Sequence, residues 1–131
     1  MMMHYELSRL CFGEKYVKIE SPSLFNVIDF LNILKNRDGN VNIRIINGPD
    51  IGPERLSVEA EKGFYLLTLL EYDESESNVR FLWNKDSSSE ESVMILGHYW
   101  PKRQLTKDFD LIIRIFKEFY YTGNVCTNVL S

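Results

Sequence analysis

Histidine occurs only twice in the chain, at His4 and His98, and cysteine only twice, at Cys11 and Cys126. Zinc sites need several His, Cys or carboxylate ligands at short, characteristic spacings, and neither histidine has such a neighbour. His98 sits in Leu96-Gly97-His98-Tyr99-Trp100-Pro101, which reads as an aromatic turn leaving a strand, with a packed or surface imidazole. Nucleophilic catalysis needs a Ser or Cys with a base and an orienting carboxylate. No Gly-x-Ser-x-Gly elbow is present, and the glycines are isolated, so no loop is built to cradle a phosphate. The ordered oxygens and glycine of an EF-hand calcium loop are missing too. Carboxylates are plentiful, and a pair could do acid–base work. Most, however, lie in polar runs where solvation leaves their pKa values little reason to move. The sequence therefore assigns no catalytic residue, no metal ligand and no cofactor.

Two cysteines are a weak disulfide framework. They could pair if the ends of the chain met, but the compartment argument favours free thiols. The opening MMMHYELSRL has no basic stretch followed by an apolar one, so no secretory signal is expected. No run approaches the ~20 apolar residues that span a bilayer. The expectation is a cytoplasmic protein without a membrane partner. Its 131 residues suit one domain, whose usual size is roughly 100–150 residues. At that size folding buries about two-thirds of the chain's surface, and no staple is needed. Seventeen aromatics and a hydrophobic fraction of 44% supply a core. One α+β domain over residues 1–131 is expected.

The formal net charge of −4 is uneven. Between Asp50 and Glu91 eleven acids face four bases, a local balance of −7 that leaves +3 for the remainder. A phosphate backbone is repelled by such a segment, which argues against nucleic acid. A basic protein would be attracted and steered towards it.

Hydrophobic periodicity lays out the elements. Tyr5–Leu10 alternates as a half-buried strand does, and Tyr16–Ile19 reads as a short second strand or extended arm. Ser21-Pro22-Ser23 opens a helix, with serine as a capping oxygen and proline tolerated in the first turn. Leu24, Val27, Ile28, Leu31 and Leu34 form its buried stripe, with Phe25 and Phe30 off it, and Asp38-Gly39-Asn40 ends it. The period then changes to 2 through Val41, Ile43 and Ile45. Asn47–Pro53 is a turn-rich loop with two Gly-Pro pairs, and Leu56, Val58 and Ala60 make the next strand. A tight turn at Glu61-Lys62-Gly63 leads into the apolar run Phe64–Leu70, a central strand covered on both faces. Val79, Phe81 and Trp83 alternate in a further strand, and Val93–Leu96 reads as the last one. Thr106 caps a final helix, with Asp108 and Asp110 suiting its positive end. Phe109, Ile112, Ile113, Phe116 and Tyr120 are its core stripe, widened by Leu111, Ile115 and Phe119, and Gly123 is its stop. The sum is α+β: an antiparallel meander sheet of five or six strands with two helices packed on it.

Two acidic runs flank the Val79–Trp83 strand: Glu71–Asn78, and Lys85–Glu91 on its other side. Charge runs usually serve as solvated connections. Here they are also the binding candidates, since carboxylates beside aromatics offer charge for steering and rings for anchoring. The candidate charges are Glu71, Asp73, Glu74, Glu76, Asp86, Glu90 and Glu91, with Tyr72 and Trp83 as anchors. Trp83, in phase with Val79 and Phe81, fits the core better than an interface.

Several stretches carry a family resemblance. They are Gly52-Pro53-x-x-Leu56, Lys62-Gly63-Phe64-Tyr65-Leu66, the run from Ile95 through Trp100-Pro101 to Ile112, and Phe116-Lys117-Glu118-Phe119-Tyr120-x-Thr122-Gly123-Asn124-Val125. From about Ser21 to Leu130 the chain resembles a family of small bacterial proteins. Some of its members look like immunity partners of polymorphic toxins, contact-dependent growth inhibition systems among them. The resemblance implies a cytosolic inhibitor of a secreted toxin, often a nuclease, with no binding residues common to the family. An adaptor or structural protein without a toxin, and an uncharacterised enzyme, stand as alternatives.

Overall fold

The computed structural model describes residues 3–83 and 90–131. These form β1 (Tyr5–Cys11), β2 (Val17–Glu20), α1 (Leu24–Ile33), β3 (Gly39–Ile45), β4 (Gly52–Glu61), β5 (Phe64–Tyr72) and β6 (Ser77–Phe81). There follow β7 (Ser92–Ile95), β8 (His98–Pro101), β9 (Leu105–Thr106) and α2 (Phe109–Thr122). Six strands lie in the order β2-β1-β3-β4-β5-β6, every neighbour antiparallel, and β9 pairs with the part of β5 beyond the reach of β6. The architecture is the expected one, an antiparallel α+β sheet carrying two helices.

Strand alternation divides the apolar residues between two faces. Leu7, Val41, Ile43, Leu56, Val58, Leu67 and Leu69 turn to the helices, where Val27, Leu31, Ile112, Phe116 and Phe119 close the main core. Leu66 points the other way and is buried with Ile95 and Leu105, against Phe64, Phe81, Val93 and Trp100. β5 is thus covered on both faces, as its continuous apolar run requires. The second cover is the β7–β8 hairpin. Val93–Leu96 is therefore not the last strand, and His98–Pro101 is a strand rather than a turn. Leu96 and Gly97 hold φ of 48° and 93°, and two positive φ values in succession make the two-residue turn that joins twisted strands.

Local chemistry sets the boundaries. Ser23 caps α1 by accepting from the Asn26 backbone N–H at 3.1 Å, and Asn26 returns a side-chain contact to the cap N–H at 2.9 Å. The helix ends at Ile33, before the Asp38-Gly39-Asn40 stop. Gly39 pairs with Cys11 inside the sheet, where a Cβ would lie 2.5 Å from the Leu10 carbonyl oxygen. Pro53 lies at the start of β4, beside a register shift between Pro53 and Arg55, a position where a missing N–H does little harm. The α2 cap is Asp108, whose Oδ1 accepts from the Leu111 N–H at 3.2 Å, and not Thr106. Thr106 sits in β9, and its hydroxyl oxygen accepts from the Asp108 N–H at 3.0 Å. Gly123 ends α2 in the left-handed conformation, φ 75°. The buried stripe of α2 is Ile112, Ile115, Phe116 and Phe119, while Phe109, Ile113 and Tyr120 lie half-buried at its margins. Phe30 is buried beneath the Arg9 guanidinium, 4.9 Å from the ring centre, and Phe25 is exposed. Cys11 is buried, Cys126 is exposed, and both are free thiols.

β6 reverses the expected phase. Arg80 and Leu82 face the main core, whereas Val79 and Trp83 are exposed and Phe81 packs on Trp100 behind the sheet. A buried arginine on an edge strand needs partners, and it has four. Nε donates to the Leu130 carbonyl at 3.0 Å, Nη2 to the Val125 carbonyl, and Nη1 to Asn124 Oδ1 at 3.0 Å and Glu71 Oε2 at 3.3 Å. Residues 124–131 are thereby drawn against β6. Phe81 and Ser131 exchange backbone hydrogen bonds of 3.1 and 3.0 Å.

Candidate functional site

The sheet separates the candidate residues into two groups. Glu71 and Tyr72 end β5, and Asp73, Glu74 and Glu76 lie in the turn to β6. Trp83, Glu90 and Glu91 lie beyond the other end of β6. From Ser77 to Trp83 the chain rises by roughly 20 Å at strand spacing, so the two groups do not form one patch. Asp86 falls outside the described residues.

Within the first group the carboxylates have different duties. Glu71 is taken up by buried Arg80. Asp73 builds the turn: its Oδ1 accepts from the backbone N–H groups of Ser75 and Glu76, both at 2.8 Å, and its Oδ2 from the Asn78 side chain at 3.2 Å. Those hydrogen bonds hold its carboxyl below the usual range. Glu74 and Glu76 are exposed, and no ion-pair partner is present for them among the described residues. Tyr72 is 39% exposed, and a hydrogen bond to Glu54, with that carboxylate's charge, raises its phenol pKa.

Glu54 introduces a feature the sequence pattern hid. At the same end of the sheet, the loop between β3 and β4 and the start of β4 close a groove of about 290 Å³. Ile45, Ile46, Pro49 and Pro53 form apolar walls, and Asp50, Glu54 and Tyr72 carry its polar groups. Ile46 and Ile51 are exposed beside it, at 48% and 51%. Ile46 and Tyr72 thus share a groove with Asp50 and Glu54, at the end of the sheet that also carries the turn with Glu74 and Glu76. Asp50 and Glu54 both lie inside the acidic window, Asp50 within the turn-rich loop and Glu54 just after it. Only the pairing of Gly52 with Tyr72 and of Tyr72 with Ser77 brings the β3–β4 loop and the β5–β6 turn to one end.

The second group is less open to a partner. The Trp83 indole N–H donates to the Ser131 carbonyl at 3.2 Å, and the Arg103 guanidinium lies 5.9 Å from its ring centre. Trp83 is 40% exposed and lies outside both buried clusters. Glu91 pairs with Lys102 at 3.5 Å, and Glu90 is exposed.

Among the described residues no group of three or more His, Cys, Asp or Glu side chains is arranged to hold a metal ion. His98 is exposed and lies near half-buried Glu59, whose carboxyl is pushed up by burial and drawn down by the imidazole. Among the described residues, no helix is long and apolar enough to cross a membrane.

The fold recurs in a solved structure. The crystal structure of a hypothetical protein from Neisseria gonorrhoeae superposes with a TM-score of 0.77, over 96% of this chain and 92% of that one, at 22% identity. At that identity the likeness is one of fold. No curated protein matches the chain. A family model spanning residues 4–129 does match, and the chain thus belongs to the family of unknown function DUF6911.

Proposed function

We propose that this domain is a cytoplasmic immunity protein that binds and neutralises a basic toxin, a nuclease being the class implied by the resemblance of its motifs. The observation that carries the reading is the acidic end of the sheet. Exposed Ile46 and Tyr72 line a groove together with Asp50 and Glu54, and the turn that carries Glu74 and Glu76 lies at the same end of the sheet. Protein interfaces derive most of their energy from a few central aromatic or apolar anchors, with charges at the rim setting partner choice and encounter rate. A strongly cationic protein is the partner such a rim attracts. A bound inhibitor need not carry out chemistry; covering the toxin's working surface is enough.

The test is co-expression with the product of the neighbouring gene. Growth arrest by that product alone, relieved by this protein and accompanied by a stable complex, is the expected result. A harmless neighbour, or a toxic one that is neither bound nor neutralised, removes the immunity reading and leaves an adaptor in its place.

A further inference from the structure

We infer that the outer edge of β6 receives an extended, basic segment of the partner as an added strand, an inference that rests on the acidic end being the binding surface. In an antiparallel ladder, residues alternate between those bonded to one neighbour and those bonded to the other. Phe81 directs its N–H and C=O outward to Ser131, so Val79 and Ser77 direct theirs outward as well. The inner half of the ladder agrees, because the turn closes with the Asp73 N–H donating to Glu76 and Tyr72 paired with Ser77. Among the described residues nothing meets the outward groups of Ser77 and Val79.

The edge is therefore divided. Its Phe81 half is occupied by the chain's own residues 130–131, and its Ser77–Val79 half offers donors and acceptors in strand geometry. The opposite edge differs, since β2 places Lys18 along it in ion pairs with Glu6 and Glu20. Lysine is a common means of discouraging strand addition. The free half of β6 has no lysine or proline, and Val79 is 47% exposed.

Charge selects the occupant. The open half adjoins the turn that carries Asp73, Glu74 and Glu76, and of these Glu74 and Glu76 have no ion pair among the described residues. A second copy of this chain would bring the same acidic turn and the same net charge of −4. A segment alternating basic and apolar residues satisfies both the backbone and the charges. Peptides that add to a sheet edge gain affinity from main-chain bonds and selectivity from alternate side chains.

The experiment uses the full chain and a synthetic eight-residue peptide alternating lysine and valine, with a serine–valine peptide as control. Nuclear magnetic resonance follows amide exchange and peptide binding. The expected result is slowed exchange at Ser77 and Val79 on adding the lysine peptide, by about tenfold or more, and little effect of the control. Val79→Pro removes an outward N–H and should weaken binding at least tenfold, while Val79→Thr should not. Should the proline variant unfold, the wild-type amide protection decides alone. Binding lost on reversing Glu74 and Glu76, yet indifferent to Val79→Pro and without protection at Ser77 and Val79, overturns strand addition while supporting the acidic surface. No binding of the lysine peptide overturns it as well. So does protection that rises with protein concentration alone, which makes a second copy the occupant.

Discussion

Arg80 and Leu130 stand 50 residues apart in the chain, and the Arg80 Nε donates to the Leu130 carbonyl oxygen at 3.0 Å. The same guanidinium reaches Val125, Asn124 and Glu71, so one buried cation joins β5, β6 and the segment after α2. Removing that donor leaves the Leu130 and Val125 carbonyl oxygens without their partner, which costs about 1–3 kcal/mol for each buried group left unpaired. Arg80→Met should lower stability in urea by that order. Glu71→Gln, which keeps an acceptor, should cost about 1 kcal/mol. Equal, small effects would mean that the tail docks without the arginine.

Phe116 is fully buried in the stripe of α2 and Phe25 is 71% exposed on α1. Phe116→Ala should cost about 3–5 kcal/mol through lost transfer energy and the cavity left behind. Phe25→Ala should stay within about 0.5 kcal/mol. Denaturant midpoints of the two variants check the orientation of both helices.

Glu59 supplies a pH dependence of definite sign. Burial raises its carboxyl above the ordinary value of 4.5. The folded state thus holds that proton more tightly than the unfolded chain does. Its favourable contribution is complete below the ordinary pKa and is lost as pH rises through the folded one. Near neutral pH the half-buried carboxylate is a burden, so Glu59→Gln should raise the melting temperature there and give no gain in strong acid. A gain of equal size at both ends would refute this assignment.

Tyr72 reports on its own neighbour. With the hydrogen bond and charge of Glu54 removed by Glu54→Gln, the phenol should titrate nearer its ordinary value of 10.0. Phenolate absorbance during alkaline titration follows the shift, and an unmoved midpoint would place Glu54 away from the hydroxyl in solution.

Reversing Asp50, Glu54, Glu74 and Glu76 together should slow association with a basic partner and flatten its salt dependence. Single reversals of exposed Asp50, Glu74 or Glu76 should have small effects, since exposed charges are well screened. Kinetics at several ionic strengths distinguish rim steering from a direct anchor: an effect confined to the dissociation rate would contradict the rim assignment.

Much of the fold was legible in local pattern. The apolar run of β5 announced cover on both faces, and Ser23 and Gly123 marked helix ends through their own side-chain and backbone chemistry. β6 was misread because alternation of Val79, Phe81 and Trp83 looks like a core face, while the partners that admit Arg80 to the interior lie mostly 44–50 residues away. Two-residue β9 is too short to have a period. The acidic window was visible, but its division was not. Asp50 and Glu54 join Glu74 and Glu76 only through strand pairing, and Glu90 and Glu91 belong to another part of the surface.

The Tyr5 hydroxyl donates to the carbonyl oxygens of Phe119 and Tyr120, at 3.0 and 2.9 Å, across a sequence separation of 114 and 115 residues. Such a bond cannot assist the early steps of folding, because loop closure over that length must first be met by other contacts. The hairpins β4–β5 and β5–β6 are local and can form while β1 is still searching. On the ribosome, β1 emerges before α2 and acquires this fastening only when α2 has been made. Refolding rate should thus respond to changes in the β4–β6 hairpins, and unfolding rate to loss of the Tyr5 hydroxyl.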